Sequence, residues 1–184
     1  ELPWSKKFFK TFEEMHGYSI APYLPLMFKK NGESKYLYAI FGEEFLYQSE
    51  HSLSERVYED YLYTREKLFM TEFLLPIKNW TNSLNIKLRL QAHGGYGNYL
   101  DAYAIADIPE SEGLFAGGSF DFLKLASSAG NIANKKIVSS ESFIKIDFNY
   151  NKLKIEDYER LACNAFAAGI NQIVFHGYPY KLSY

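Results

Sequence analysis

The stretch IKLRLQAHGGYGNYLDAYAIADIPE, residues 86–110, decides the fold class of this 184-residue chain. Its apolar runs predict a strand over Ile86 to Ala92, which ends in His93-Gly94-Gly95, and a second strand over Tyr103 to Ile108, which ends at Pro109-Glu110. Short apolar runs that finish in polar residues and alternate with helical segments are typical of α/β folds.

The alternation continues downstream. The spacing of apolar residues predicts two helices and two strands there: a helix over 120–132, a strand over 136–140 that ends at Glu141, a helix through Phe166 that stops at Gly169, and a strand over 172–175 that ends at His176. Four strands are about half of a (β/α)8 TIM barrel, which needs roughly 200 residues or more. We therefore expect residues 1–184 to be a fragment of a barrel domain; the alternative is an open, doubly wound sheet.

The first third of the chain is predicted to be mainly helical. Residues 5–16 place phenylalanines on one helical face before Gly17, and Tyr36 to Phe41 reads as a short extended run. A long helix is predicted from Ser52, with a capping box to Glu55, until Pro76 ends or kinks it. We expect these helices at the surface of a larger protein.

Composition limits the partners. The 20 basic and 22 acidic residues give a net charge of -2 without any block of like charge, which argues against nucleic acid or a membrane surface as a partner. No apolar run reaches the ~18 residues that a bilayer span needs. Aromatic residues make up 18% and can serve as core bulk or as platforms for sugar rings. The lone Cys163 lies in an apolar helical pattern, so we expect a buried thiol.

Two glutamates close predicted strands, Glu110 and Glu141. In α/β barrels the reactive groups lie at the carboxyl ends of the strands, and a pair of carboxylates is what glycoside hydrolysis requires. One carboxyl protonates the leaving oxygen, and the other activates water or attacks carbon. The alternative is structural, since a carboxylate at a strand end also caps helices or forms salt bridges.

Arg89, Gln91 and His93 alternate along the first predicted strand, so the period of two points all three side chains the same way. They form either a paired polar cluster or a sugar-binding edge. His176 closes another strand and is a second candidate for contacting sugar hydroxyls. Because no third ligand accompanies the two histidines at metal-site spacing, zinc is not predicted.

Several motifs together resemble glycoside hydrolase family 106, the α-L-rhamnosidases. The run RLQAHGGYGNYLDAYAIADIPE resembles the family's R-x-Q-A-H-G, Leu-Asp-x-Tyr and D-I-P-E segments, and KLASSAGNIANKKIVSSESF resembles its K-x-A-S-S-A-H and V-S-S-E segments. AFAAGINQIVFHGYPY is similar to F-x-A-G-x-N followed by H-G-T-P-Y, and the first residues resemble W-T-x-x-F and P-Y-L-P. The resemblance covers nearly the whole chain in order.

The resemblance implies an inverting α-L-rhamnosidase on a (β/α)8 scaffold, associated with calcium and plant polysaccharides and favouring a periplasmic or extracellular bacterial location. It carries two family glutamates onto Glu110 and Glu141, and a third, the general acid, onto Glu1. The motifs add Asp101 and Tyr178 to the substrate-binding set of Arg89, Gln91, His93 and His176. Tyr178 replaces the family's threonine, and Asn131 or Gly130 replaces its histidine after S-S-A, so the sugar could differ from rhamnose.

Two other functions stay open at this stage. A catalytically silent carbohydrate-binding barrel would use the same polar edge without one of the carboxylates in place. A barrel enzyme for phosphorylated metabolites would need a phosphate loop, but Gly94-Gly95-x-Gly97 lacks the G-x-G-x-x-G order and a following helix. The favoured function is the glycosidase, with no organic cofactor and a carbohydrate as its partner.

Overall fold

The computed structural model describes residues 5–27, 51–143 and 154–176. The predicted extended run at Tyr36 to Phe41, Glu1 and Tyr178 lie outside these ranges. The chain divides into two compact units, Glu1–Phe73 and Leu74–Tyr184.

The first unit is helical. Helix α1 (Phe8–His16) is followed by a 3-10 helix (Ala21–Met27), and α2 (His51–Leu68) continues into a π-helical segment (Phe69–Leu74). Gly17 ends α1 with a left-handed backbone, φ 75°, as a stop signal predicts. Some aromatic residues serve as core bulk here, since the core of this unit consists of Phe8, Phe12, Ile20, Val57 and Tyr61.

The second unit begins with α3 (Leu75–Ser83), which carries Pro76 in its first turn, where a missing N–H costs nothing. Its remaining elements alternate strands and helices. They are β1 (Arg89–Leu90), α4 (Tyr99–Ile105), β2 (Ile108–Glu112), a 3-10 turn (Phe115–Gly118), α5 (Phe120–Ile132), β3 (Ser139–Ser142), α6 (Ile155–Ala167) and β4 (Gln172–Phe175).

The four strands form one parallel sheet in the order β1-β2-β3-β4. Each strand pairs with the next strand along the chain, and a helix lies between each pair in sequence. This arrangement confirms an α/β fold with a parallel sheet and is consistent with part of a barrel.

The second predicted strand was wrong in position. Residues from Tyr99 to Ile105 form helix α4, whose N-cap Asn98 accepts a hydrogen bond from the Leu100 amide at 2.9 Å. Ala102, Tyr103 and Ala106 are buried at helical spacing, which explains why this apolar run folds as a helix. Strand β2 therefore begins at Ile108 and contains Glu110, which was expected to follow the predicted strand.

Two smaller corrections concern β1 and the cysteine. Strand β1 has two residues rather than the seven predicted. Cys163 is exposed, because it lies two positions, roughly half a helical turn, from the buried Ala165 on α6. None of the described helices is long and apolar enough to cross a membrane.

Candidate active site

The sheet has one face covered by α5 and another that carries the acidic side chains. A Cβ on Gly130 of α5 would lie 2.7 Å from Val138 Cγ2 and 3.8 Å from Pro109 Cγ, so these two side chains face the helix. Because side chains alternate along a strand, their neighbours Glu110 and Ser139 point to the opposite face. The Ser139 hydroxyl donates a hydrogen bond to Glu110 Oε2 at 2.6 Å, in agreement with that alternation.

Glu110 is buried and held by two hydrogen-bond donors and one ion pair. Besides Ser139, Arg89 Nε lies 3.3 Å from its Oε2 and Gln91 Nε2 donates to its Oε1 at 3.2 Å. Only 5% of the residue is exposed. A buried carboxylate requires such donors, because an unpaired charge in the interior is costly. Glu110 thus restrains the side chains of Arg89 in β1 and of Gln91, which follows β1.

Glu141 is the more accessible carboxylate. Its side chain is 24% exposed, against 7% for Glu110. Gln91 Nε2 donates to Glu141 Oε2 at 2.5 Å, and His176 Nε2 lies 3.6 Å from Oε1. His176 is itself 59% exposed at the end of β4. Solvent therefore reaches the carboxylate of Glu141 more readily than that of Glu110.

One amide nitrogen contacts both carboxylates, so Glu110 and Glu141 face the same side of the sheet. The Gln91 amide occupies the space between them. An inverting glycosidase separates its acid and base carboxyls by roughly 6.5 to 9.5 Å to admit substrate and water. Glu110 Oε1 lies 3.2 Å and Glu141 Oε2 lies 2.5 Å from Gln91 Nε2. These two carboxylate oxygens are therefore closer to each other than the spacing of an inverting acid–base pair.

A third carboxylate, Glu112, was missed by the sequence reasoning. It shares the face of Glu110 by alternation, is 8% exposed, and its Cα partner across the sheet is Glu141. His93 Nε2 lies 3.0 Å from Glu112 Oε2, and His93 Nδ1 lies 2.9 Å from the Tyr103 hydroxyl. The sequence signal for this residue was the E-x-E spacing, which a strand extended to residue 112 would have revealed.

The remaining predicted site residues differ in their placement. Both ring nitrogens of His93 have protein partners, and its side chain is 4% exposed. Asp101 is exposed in the first turn of α4, and no described hydrogen bond or ion pair links it to the carboxylates. The substrate-binding roles of these residues, and of Arg89, Gln91 and His176, stay predictions.

Calcium, which the family resemblance implies, requires about six to eight oxygen ligands. Within residues 5–27, 51–143 and 154–176, no three His, Cys, Asp or Glu side chains come together in a group that could hold a metal ion. Calcium therefore remains a prediction.

A parallel α/β sheet that carries several carboxylates on one face is the kind of site found in barrel glycoside hydrolases. The sequence model of the α-L-rhamnosidases, glycoside hydrolase family 106, matches residues 1–181. The chain belongs to glycoside hydrolase family 106, which confirms the family predicted from the motifs.

A comparison with curated proteins finds a relative in Formosa agariphila that carries the name "Putative beta-glucuronidase". The two are 26% identical over 183 residues. The match covers 97% of this chain and 14% of the relative, so the chain spans a small part of the length of that protein.

Proposed function

We propose that the protein to which this chain belongs is an inverting α-L-rhamnosidase that removes terminal rhamnose from plant-type polysaccharides or glycosides. The family match over residues 1–181 supports the rhamnosidase activity. We also propose that the four parallel strands, each paired with its successor, are consecutive strands of a closed (β/α)8 barrel. The rest of the protein would supply the remaining strands.

Glu141 is the general base in this proposal. The observation that carries the assignment is its accessibility, since the side chain of Glu141 is 24% exposed, against 7% for Glu110 and 10% for Glu112. A general base must reach the water that it deprotonates, directly or through one intervening molecule. The Gln91 hydrogen bond fixes the Glu141 carboxylate and leaves its second oxygen on the side of the exposed His176.

Glu110 has a positioning role in the same proposal. Gln91 donates to its Oε1, while Ser139 donates to its Oε2 and Arg89 forms an ion pair with that oxygen, so Glu110 restrains the side chains of Arg89 and Gln91. The general acid must then come from across the cavity, at the separation that an inverting mechanism needs. The family resemblance offers Glu1 for that role, and Glu1 lies outside the described residues.

The proposed roles give a single-displacement mechanism. Glu141 removes a proton from water as the water oxygen bonds to the anomeric carbon on the face opposite the leaving group. The general acid gives its proton to the glycosidic oxygen as the bond from that oxygen to the anomeric carbon breaks. The configuration at the anomeric carbon inverts in this single displacement. In this proposal Arg89, Gln91 and His176 contact sugar hydroxyls near the base.

The name of the Formosa agariphila relative favours a second candidate, a β-glucuronidase. Tyr178 in place of the family's threonine also leaves room for a sugar other than rhamnose. The two candidates share the carboxylate chemistry and differ in the glycone. A third outcome, binding without turnover, corresponds to the silent carbohydrate-binding barrel.

The test is a parallel assay of the full-length protein on an aryl α-L-rhamnoside and an aryl β-D-glucuronide. We expect turnover of the rhamnoside, with NMR showing the β anomer of rhamnose as the first product. Turnover of the glucuronide alone would replace the proposed substrate. Retention of the anomeric configuration would refute the inverting mechanism, and binding of rhamnose without hydrolysis of either compound would refute the enzyme.

A further inference from the structure

Glu112 creates an electrostatic problem that the proposed reaction does not itself explain. It lies opposite Glu141 on the neighbouring strand, and paired residues on adjacent strands are about 4.8 Å apart. Like charges placed directly opposite each other on a sheet destabilise it. Something must therefore direct the Glu112 carboxylate away from Glu141.

His93 supplies that direction. Its Nε2 lies 3.0 Å from Glu112 Oε2, and it follows β1, whereas Glu141 belongs to β3. Because β2 lies between β1 and β3, the contact with His93 draws the Glu112 carboxylate away from Glu141. The His93 ring cannot easily turn aside, since it is packed at 5.0 and 5.1 Å from the rings of Phe115 and Phe122.

Tyr103 determines which nitrogen of His93 carries the proton. Burial raises the pKa of Tyr103, and the backbone amides of His93 and Ala92 only partly oppose this effect, so the hydroxyl keeps its proton. The protonated hydroxyl can therefore donate its hydrogen to His93 Nδ1, which lies 2.9 Å away. With Nδ1 accepting from Tyr103, Nε2 is the ring nitrogen that donates to the carboxylate of Glu112, 3.0 Å away.

Gln91 is the group for which the carboxylates compete. Its Nε2 has two hydrogens, which it donates to Glu110 and Glu141. Glu112 lies on the strand between Gln91 and Glu141, so an unrestrained Glu112 could accept the hydrogen that Glu141 now receives. With His93 in place, each carboxylate has its own donor.

We propose that Tyr103, His93 and Glu112 form a positioning chain that keeps Glu112 away from Glu141 and leaves Gln91 donating to Glu141. The three residues act through the base and do not themselves touch the reacting atoms. The kinetic consequence rests on the proposed role of Glu141 as general base, while the geometric consequence does not.

Two substitutions at His93 separate this role from simple packing. In His93→Gln, the amide nitrogen lies near the former Nε2 and can still donate to Glu112. In His93→Asn, it lies near the former Nδ1, faces Tyr103 and leaves Glu112 without its donor. Both variants lose the ring that packs against Phe115 and Phe122, so a purely structural His93 predicts similar losses in both.

We expect the full-length His93→Gln enzyme to keep kcat within about threefold of the wild-type value, and His93→Asn to lose tenfold or more in kcat with little change in KM. The double variant His93→Asn/Glu112→Gln should recover most of the lost kcat, because the charge that His93 restrains is gone. It also removes the unpaired buried charge that could prevent the single variant from folding. Equal kcat in the Asn and Gln variants, or no recovery in the double variant, would overturn the proposal.

A crystal structure of the His93→Asn protein gives a readout that needs no activity. The Gln91 amide should have moved from Glu141 to within hydrogen-bonding distance of Glu112. An unchanged contact between Gln91 and Glu141 would overturn the positioning chain even in an active enzyme. If the wild-type protein hydrolyses no rhamnoside, the proposed function fails, and this structure still decides the inference.

Discussion

Replacing Glu141 with glutamine is the sharpest test of the proposed mechanism. The amide keeps the volume of the carboxylate and its Oε1 can still accept the hydrogen bond from Gln91, but it cannot take a proton from water. General base catalysis is worth about 10² to 10⁴ in rate, which corresponds to roughly 2.7 to 5.4 kcal/mol of the activation barrier. We therefore expect kcat to fall by that factor while KM changes little.

The stability of Glu141→Gln should hardly change. The side chain is 24% exposed and loses one charge-assisted hydrogen bond in exchange for a neutral one, which costs about 1 kcal/mol or less. In a protein of 150 to 250 residues that corresponds to about 2 to 4 °C in Tm, and less in a larger one. The assay measures kcat on the aryl α-L-rhamnoside and Tm on the same preparation.

Glu110→Gln is the matched control on the neighbouring strand. Glu110 is 5% exposed, accepts hydrogen bonds from Gln91 and Ser139 and forms an ion pair with Arg89, so an amide nitrogen there would face at least one of these groups. We expect a loss of about 2 to 3 kcal/mol in the free energy of unfolding and a smaller fall in kcat than in Glu141→Gln. Near-normal kcat in a folded Glu141→Gln enzyme would remove Glu141 from the mechanism, and equal losses of kcat in both variants would refute the division of roles.

Two further predictions concern the stability of the second unit. Ser111→Ala should leave the free energy of unfolding unchanged or raise it by up to about 1 kcal/mol, because the buried hydroxyl has no partner among the described residues. Ser139→Ala should lower it by about 1 to 2 kcal/mol, because the Ser139 hydroxyl donates to Glu110. Urea titration of both variants measures the difference. Burial acts to raise the pKa of Asp107, but the Lys78 ammonium at 2.5 Å and a backbone amide outweigh it and hold the pKa below 3.8. The contribution of this ion pair to the free energy of unfolding is therefore present above about pH 4 and is lost as the pH falls through the lowered pKa. Lys78→Met should weaken that loss, and urea midpoints between pH 3 and pH 7 measure it; an unchanged pH dependence would contradict the pairing.

The elements that the sequence predicts well are those in which the apolar period and the end signals agree. Helix α5 begins and ends at the predicted residues, with Ser119 as its N-cap, and β4 occupies its predicted range. Helix α6 likewise ends just before Gly169, whose φ of 92° suits a residue without a side chain. In each case local propensity and tertiary packing favour the same structure.

The run from Tyr103 to Ile108 lacks that agreement. A short apolar run with no charged residue until Asp107 fits a buried strand and a buried helix segment equally well. The structure chooses the helix because Asn98 caps it and because Tyr103 packs into the core at 0% exposure. The cap is five residues upstream of the run, so the apolar pattern alone could not decide between the two.

Because the second predicted strand ends too early, Glu112 is not recognised as a site residue. The assignment of hydrogen-bond donors to the three carboxylates cannot be predicted for the same reason. A strand that ended at Ile108 left Glu110 as a terminal group, whereas the observed β2 carries two glutamates on one face. The period of two correctly grouped Arg89 with Gln91, since both contact Glu110. Which carboxylate each donor meets depends on the strand register, in which Arg89 pairs with Ile108 and Glu112 with Glu141. Because register is fixed by contacts between strands far apart in sequence, the residue types of a site can be predicted from one chain while its hydrogen bonds cannot.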